Sequence, residues 1–119
     1  MKTKNTFSLT QTDMIILSLL EKKDLYGYEI IELLSEKSDG LFDMKAGTLY
    51  PLLHGLENNG YVKSYNSNTS LGKTRKYYSI TKMGEGFLHE KKEYWKEYVG
   101  TINNIVFNNW VFKVYQPIP

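Results

Sequence analysis

Apolar residues recur at helical spacing in four stretches of this chain and crowd into two shorter aromatic stretches, and the order of these six elements predicts the architecture. The first is the run Met14 to Leu20. Thr10 followed by Asp13 has the form of an N-cap with an acid in the first turn, so a core helix is expected from about Thr10. Tyr28, Ile30, Ile31, Leu33 and Leu34 then give a second helix its inner side, from near Tyr26 to Lys37, and Ser38-Asp39-Gly40 ends it. A third helix, about Ala46 to Asn59, turns Leu49, Leu52, Leu53 and Leu56 inward and closes on Asn58-Asn59-Gly60. Pro51 falls within its first turns and predicts a local bend there.

Tyr61 to Tyr65 and Arg75 to Ile80 are aromatic and β-branched enough for two strands. Residues 66–74 between them form a long polar hairpin tip. Thr81 then caps a fourth helix from Lys82 to about Asn108, along which Met83, Phe87, Tyr94, Tyr98, Ile102 and Ile105 keep one apolar stripe. Leu88, Trp95, Val99 and Val106 lie alongside. At 1.5 Å per residue this helix is roughly 40 Å long, more than the small body before it can cover. The same helix of a second copy is the economical partner, which predicts a two-fold dimer. Phe87, Tyr94, Trp95, Tyr98, Val99, Ile102, Ile105 and Val106 are the expected interface. The last ten residues, from Trp110, show no period, and Pro117 and Pro119 argue against helix.

Helix, helix, helix, strand, strand, long helix makes a mainly α chain with a small β-hairpin, the order of a winged helix-turn-helix followed by a C-terminal dimerisation helix. The expected divisions are a DNA-binding domain over 1–81, a dimerisation helix over 82–109 and a tail over 110–119. A chain of 119 residues has room for one core and little more.

The formal net charge of +2 says little by itself. Its distribution says more: between Glu57 and Glu85 no acidic residue occurs, while Lys63, Lys73, Arg75, Lys76 and Lys82 all fall there. That concentration has the form of a phosphate-binding footprint centred on the wing, although a solvated hairpin would look similar. On the third helix, Lys45, Thr48 and Tyr50 stand near the amino end, which usually meets base edges, and His54 stands where it would meet the backbone. Tyr50 is also placed to half-bury itself against the wing. Gly27 allows a close helix approach with Tyr28 packing beside it, and Tyr26 can reach a phosphate. None of these groups has the bidentate geometry of Arg or Asn on a base, so limited direct readout with dependence on DNA shape is expected.

Tyr26-Gly27-Tyr28-Glu29-Ile30, Gly47-Thr48-Leu49-Tyr50-Pro51-Leu52-Leu53 with Leu56-Glu57 and Gly60-Tyr61-Val62, and Arg75-Lys76-Tyr77-Tyr78-Ser79-Ile80-Thr81 with Gly84 resemble the PadR family of bacterial transcriptional regulators. Together they cover most of residues 8 to 88. The resemblance implies a dimeric repressor with its third helix in the major groove of double-stranded DNA and its wing on the flanking backbone or minor groove. The single helix after the wing resembles the short subfamily, some of whose members hold planar hydrophobic drugs at the dimer interface through a tryptophan. Trp95, eleven residues after Gly84, corresponds to that tryptophan, with Phe7, Ile15 and Leu88 as further lining. A plain dimer-core role for Trp95 is the alternative. The aromatic tail departs from the family pattern.

Other chemistries find no residues to run them. His54 and His89 lack paired metal-ligand spacing, Glu85, Glu90, Glu93 and Glu97 belong to a charged helix face, and no phosphate loop or nucleophile elbow occurs. No cofactor and no catalysis are expected. Cysteine is absent, which fits a reducing compartment. The run from Met14 to Leu20 has no cleavage site after it and falls short of the roughly 20 apolar residues of a membrane span, so a cytoplasmic protein without membrane association is the expectation. A winged-helix module that binds a protein through the same helix and wing is the other class of function to weigh.

Overall fold

A computed structural model describes the backbone of residues 3–107 and the side chains from residue 11 onward. Its elements are α1 (Thr3–Lys22), β1 (Leu25–Tyr26), α2 (Gly27–Lys37), α3 (Ala46–Asn58), β2 (Val62–Asn68), β3 (Thr74–Ile80) and α4 (Lys82–Val106). The chain forms two compact units, one ending at Leu88 and the other beginning at His89. The expected tail from Trp110 lies outside the described residues.

In the first unit, α1 buries Ile16, Leu17 and Leu20, α2 buries Ile30 and Leu34, and α3 buries Leu49, Leu53 and Leu56. Leu25, Val62, Tyr78 and Leu88 complete that core. Among the described residues no polar or charged side chain is buried. Helical periodicity thus placed the three helices and their inner faces, with two corrections. Thr10 is no N-cap, because α1 begins at Thr3; nothing between Thr3 and Thr10 is Gly or Pro, so no residue there stops the helix from continuing. Tyr28 is no packing residue: it is 57% exposed, because α2 turns Gly27, Ile30 and Leu34 inward and Tyr28 stands about 100° away from Gly27.

The sheet has three strands in the order β1-β3-β2, all antiparallel. The sequence pattern did not reveal β1, since two residues are too few to show a period. The hairpin is also longer and its tip shorter than expected, with residues 69–73 as the loop. Asn66, Ser67 and Asn68 are poor strand formers, but they pair with Lys76, Arg75 and Thr74, and Thr74 Oγ1 donates to Asn68 Oδ1 at 3.0 Å. Thr69 Oγ1 accepts from the amides of Leu71 and Lys73, so side-chain hydrogen bonds supply what propensity withholds.

The joint between α3, the wing and α4 is a tight knot. Gly60 has φ +83, and the amide of Tyr61 donates back to Leu56 O at 2.9 Å, closing α3 in a Schellman turn. Thr81 then donates through its hydroxyl to Gly60 O at 2.6 Å and through its amide to Tyr61 O at 3.0 Å. The same hydroxyl accepts from the amide of Gly84 at 3.0 Å and so caps α4, as the sequence predicted. Gly84 rests directly on the Tyr61 carbonyl: a Cβ there would overlap that oxygen and come within 2.9 Å of Ile80 Cγ1. Phe87 stacks on Tyr61 with ring centroids 4.1 Å apart.

The second unit contains the rest of α4. Tyr94, Ile105, Val106 and Phe107 are exposed, Trp95 and Ile102 are each 37% exposed, and Tyr98 and Val99 are half-buried. The rings of Trp95 and Tyr94 lie 5.9 and 6.1 Å from that of Tyr98. No helix among the described residues is long and apolar enough to cross a membrane.

Candidate nucleic-acid interface

With Leu49, Leu53 and Leu56 turned inward, α3 presents Lys45, Ala46, Gly47, Thr48, Tyr50, Pro51, His54, Gly55 and Asn58 to its surroundings. Lys45 is the N-cap residue and pairs with Asp43 at 3.7 Å, an exposed contact worth little. Thr48 and His54 are free of the core. Gly47 and Gly55 face open space, since a Cβ at either meets nothing within 4 Å. A glycine inside a helix costs about 1 kcal/mol relative to alanine, and here nothing in the fold requires one. The surface of α3 is therefore shallow, and its backbone lies close to whatever approaches it.

Tyr50 meets the start of α2 while remaining open to solvent. It is 39% exposed, and its ring leans on Gly27 at the start of α2, where a Cβ would collide with the phenol. Gly27 thus permits the approach that the sequence suggested, with the ring of Tyr50 as the neighbour.

The hairpin register sorts the wing into two faces. Leu25, Val62, Tyr78 and Ile80 share the core face, and Lys76 belongs to it, its Nζ 5.9 Å from the centre of the Tyr78 ring. Tyr26, Tyr65, Tyr77, Arg75 and Lys63 share the other. There Tyr77 meets Tyr26 edge-on at 5.4 Å and stacks on Tyr65 at 5.7 Å, so three tyrosines from three strands form a ladder. Tyr65 donates its hydroxyl to Asp24 Oδ2 at 2.5 Å, which raises its pKa above the ordinary phenol value; desolvation adds to this. The Arg75 guanidinium lies over the Tyr26 ring, 4.6 Å from its centre, with its Nε shielded from solvent and without a hydrogen-bond partner. Stacking therefore orients Arg75. Arg75 and Lys76, adjacent in sequence, belong to opposite faces.

The sequence reading did not include Asp24, Tyr65 and Tyr77 in this arrangement. Alternation along β3 carried the signal for Arg75 and Tyr77, but Tyr26 and Tyr65 join them only once the strand register is known. Lys63 and Lys73 are exposed on the hairpin. Of the residues expected around Trp95, Ile15 is half-buried on α1, Leu88 is 1% exposed in the core of the first unit, and the side chain of Phe7 lies outside the described residues. Among the described residues no group of three potential ligands is arranged to hold a metal ion.

Three helices, a three-stranded sheet with an extended hairpin and an exposed third helix define a winged helix-turn-helix protein. The chain belongs to the transcriptional regulator PadR-like family, whose model matches residues 16–90. A transcriptional regulator from Clostridium thermocellum is 42% identical, with a TM-score of 0.71 over 79% of this chain and 91% of that one. A PadR-like transcriptional regulator from Bacillus cereus is 30% identical, with a TM-score of 0.74 over 82% and 92%. An uncharacterized protein of Lysinibacillus sphaericus is 40% identical over 85 residues, 71% of this chain and 78% of that protein. The chain is a DNA-binding transcriptional regulator and not an enzyme.

Proposed function

We propose that this regulator is a homodimeric repressor that binds a pseudo-palindromic operator, each α3 lying in the major groove and each wing on the flanking backbone. The observation that carries this reading is the exposed face of α3: Lys45, Thr48, Tyr50 and His54 rise from a surface otherwise made of Ala46, Gly47, Pro51 and Gly55, which admits a close-fitting duplex. The wing contributes cations free of acidic neighbours in sequence, with Arg75 held in a fixed pose by Tyr26. Pairing of α4 with its counterpart about a two-fold axis would cover Tyr94, Trp95, Ile102, Ile105 and Val106 and set the two recognition helices one DNA turn apart, roughly 34 Å. A planar hydrophobic effector stacked against Trp95 in that interface would change the spacing and release the DNA.

Fluorescence anisotropy on the DNA upstream of the protein's own gene tests this, titrated at two salt concentrations against a scrambled duplex. Tight, selective and salt-sensitive binding is expected. Equal, weak binding to both duplexes would remove the operator reading and favour a protein partner.

A further inference from the structure

A cavity of about 480 Å³ opens between α1, β1 and α2, on residues that the DNA-binding reading does not use. Its floor is aliphatic, made by Leu19, Leu25 and Leu33, and its rim carries Lys22, Lys23 and Lys37. Its volume lies within the range of small-molecule sites, roughly 300–1,000 Å³. No carboxylate lines it, and none of the three lysines forms an ion pair among the described residues. Three like charges around an apolar floor repel one another, and an anion with an apolar body relieves the repulsion while covering the leucines.

The chemistry narrows the ligand further. Among the described residues no aromatic side chain lines the cavity, so a ring would have nothing there to stack on, whereas a flexible alkyl chain fits branched aliphatic walls. The cations are lysines, point charges suited to a single anionic head; arginine would offer a planar fork. An adjoining depression shares Lys23, Leu25 and Leu33 but is lined by Glu29, Glu32 and Glu36, which turn the anion toward Lys22 and Lys37. We propose that this cavity binds a medium-chain aliphatic carboxylate, its chain on the leucines and its head group held by Lys22 and Lys37. The lining of this site shares no residue with those suggested around Trp95, and the proposal does not depend on them.

Isothermal titration of the full chain with decanoate, kept below its micelle-forming concentration at low salt, tests the proposal. One molecule should bind per chain, with affinity rising about fourfold per methylene from hexanoate to decanoate, the increment of one buried CH₂. The double substitution Lys22→Gln/Lys37→Gln should weaken decanoate at least tenfold and leave the protein's melting temperature within a degree or two, since both side chains are exposed. Trp95→Ala should leave decanoate binding intact. The proposal is overturned if decanoate does not bind, if decyltrimethylammonium binds as well as decanoate, if the lysine double variant is unaffected, or if Trp95→Ala abolishes binding.

Discussion

Two glycines on α4, two residues apart, should respond to the same substitution with opposite signs. Gly84 sits on the Tyr61 carbonyl, and an added methyl would overlap a backbone oxygen that is already fixed by the Thr81 amide. No side chain can swing aside to make room, so the α3–β2 corner or the start of α4 must move. Overpacking of this kind costs typically 1–3 kcal/mol, and a fixed backbone neighbour puts Gly84→Ala at the upper end, about 3 kcal/mol. Gly86 lies in the same helix and faces open space, so Gly86→Ala adds helix propensity alone and stabilises by up to about 1 kcal/mol. At about 4 °C per kcal/mol for a chain of this size, Gly84→Ala should melt about 12 °C below the parent and Gly86→Ala up to about 4 °C above it. Thermal unfolding followed by far-UV circular dichroism at one fixed protein concentration measures both, since oligomerisation makes the melting temperature concentration-dependent. Equal melting temperatures for the two variants would refute the packing argument.

Tyr26→Leu keeps bulk beneath Arg75 but removes the π face; it should weaken operator binding two- to fivefold, as about 0.5–1 kcal/mol of cation–π energy implies, and have no further effect beside Arg75→Ala. Additive losses in that double-mutant cycle would show that Tyr26 does not act through Arg75. Tyr65→Phe removes the hydroxyl bonded to Asp24, and its pH dependence has a definite sign: because folding raises the Tyr65 pKa, that bond supports the fold below pH 10 and its contribution is lost as pH rises through the higher folded value. Denaturant titrations between pH 8 and 11 should therefore show a shallower alkaline decline in the variant, and identical slopes would contradict the assignment. Ile102→Glu places a charge in the apolar stripe of α4, so light scattering should report a dimer for the parent and a monomer for the variant. A dimer of unchanged stability would move the interface elsewhere.

Leucines at helical spacing mark the buried side of α3 in the sequence itself, and Gly60 and Thr81 mark the two helix ends that the structure ties together. These signals are local, set by residues within a turn or two of one another. What escaped the sequence reading is non-local. β1 exists only because Leu25 and Tyr26 find Tyr78 and Tyr77 some fifty positions later, and the Arg75 stack needs both that pairing and the hairpin register. The separation of Arg75 from Lys76 follows from strand alternation alone and was open to deduction; the tyrosine ladder was not, because three strands must first be aligned.

The open-space glycines of α3 bear on the time domain as well as on fit. Gly47, Pro51 and Gly55 lie at four-residue intervals along a helix of thirteen residues, and Pro51 withholds the amide that would have bonded to the Gly47 carbonyl. The segment proposed to read DNA is thus the one with the least intrinsic reason to stay helical, clamped mainly by Leu49, Leu53 and Leu56 beneath it. Its first turns should exchange amide hydrogens faster than α1 or α2 in the free protein, and slow markedly on the operator. Part of the binding free energy is then spent on ordering, so alanine at Gly47 or Gly55 would stiffen the helix in advance while adding a methyl where the duplex must come close. Affinity and helix rigidity are set against each other at the same two positions.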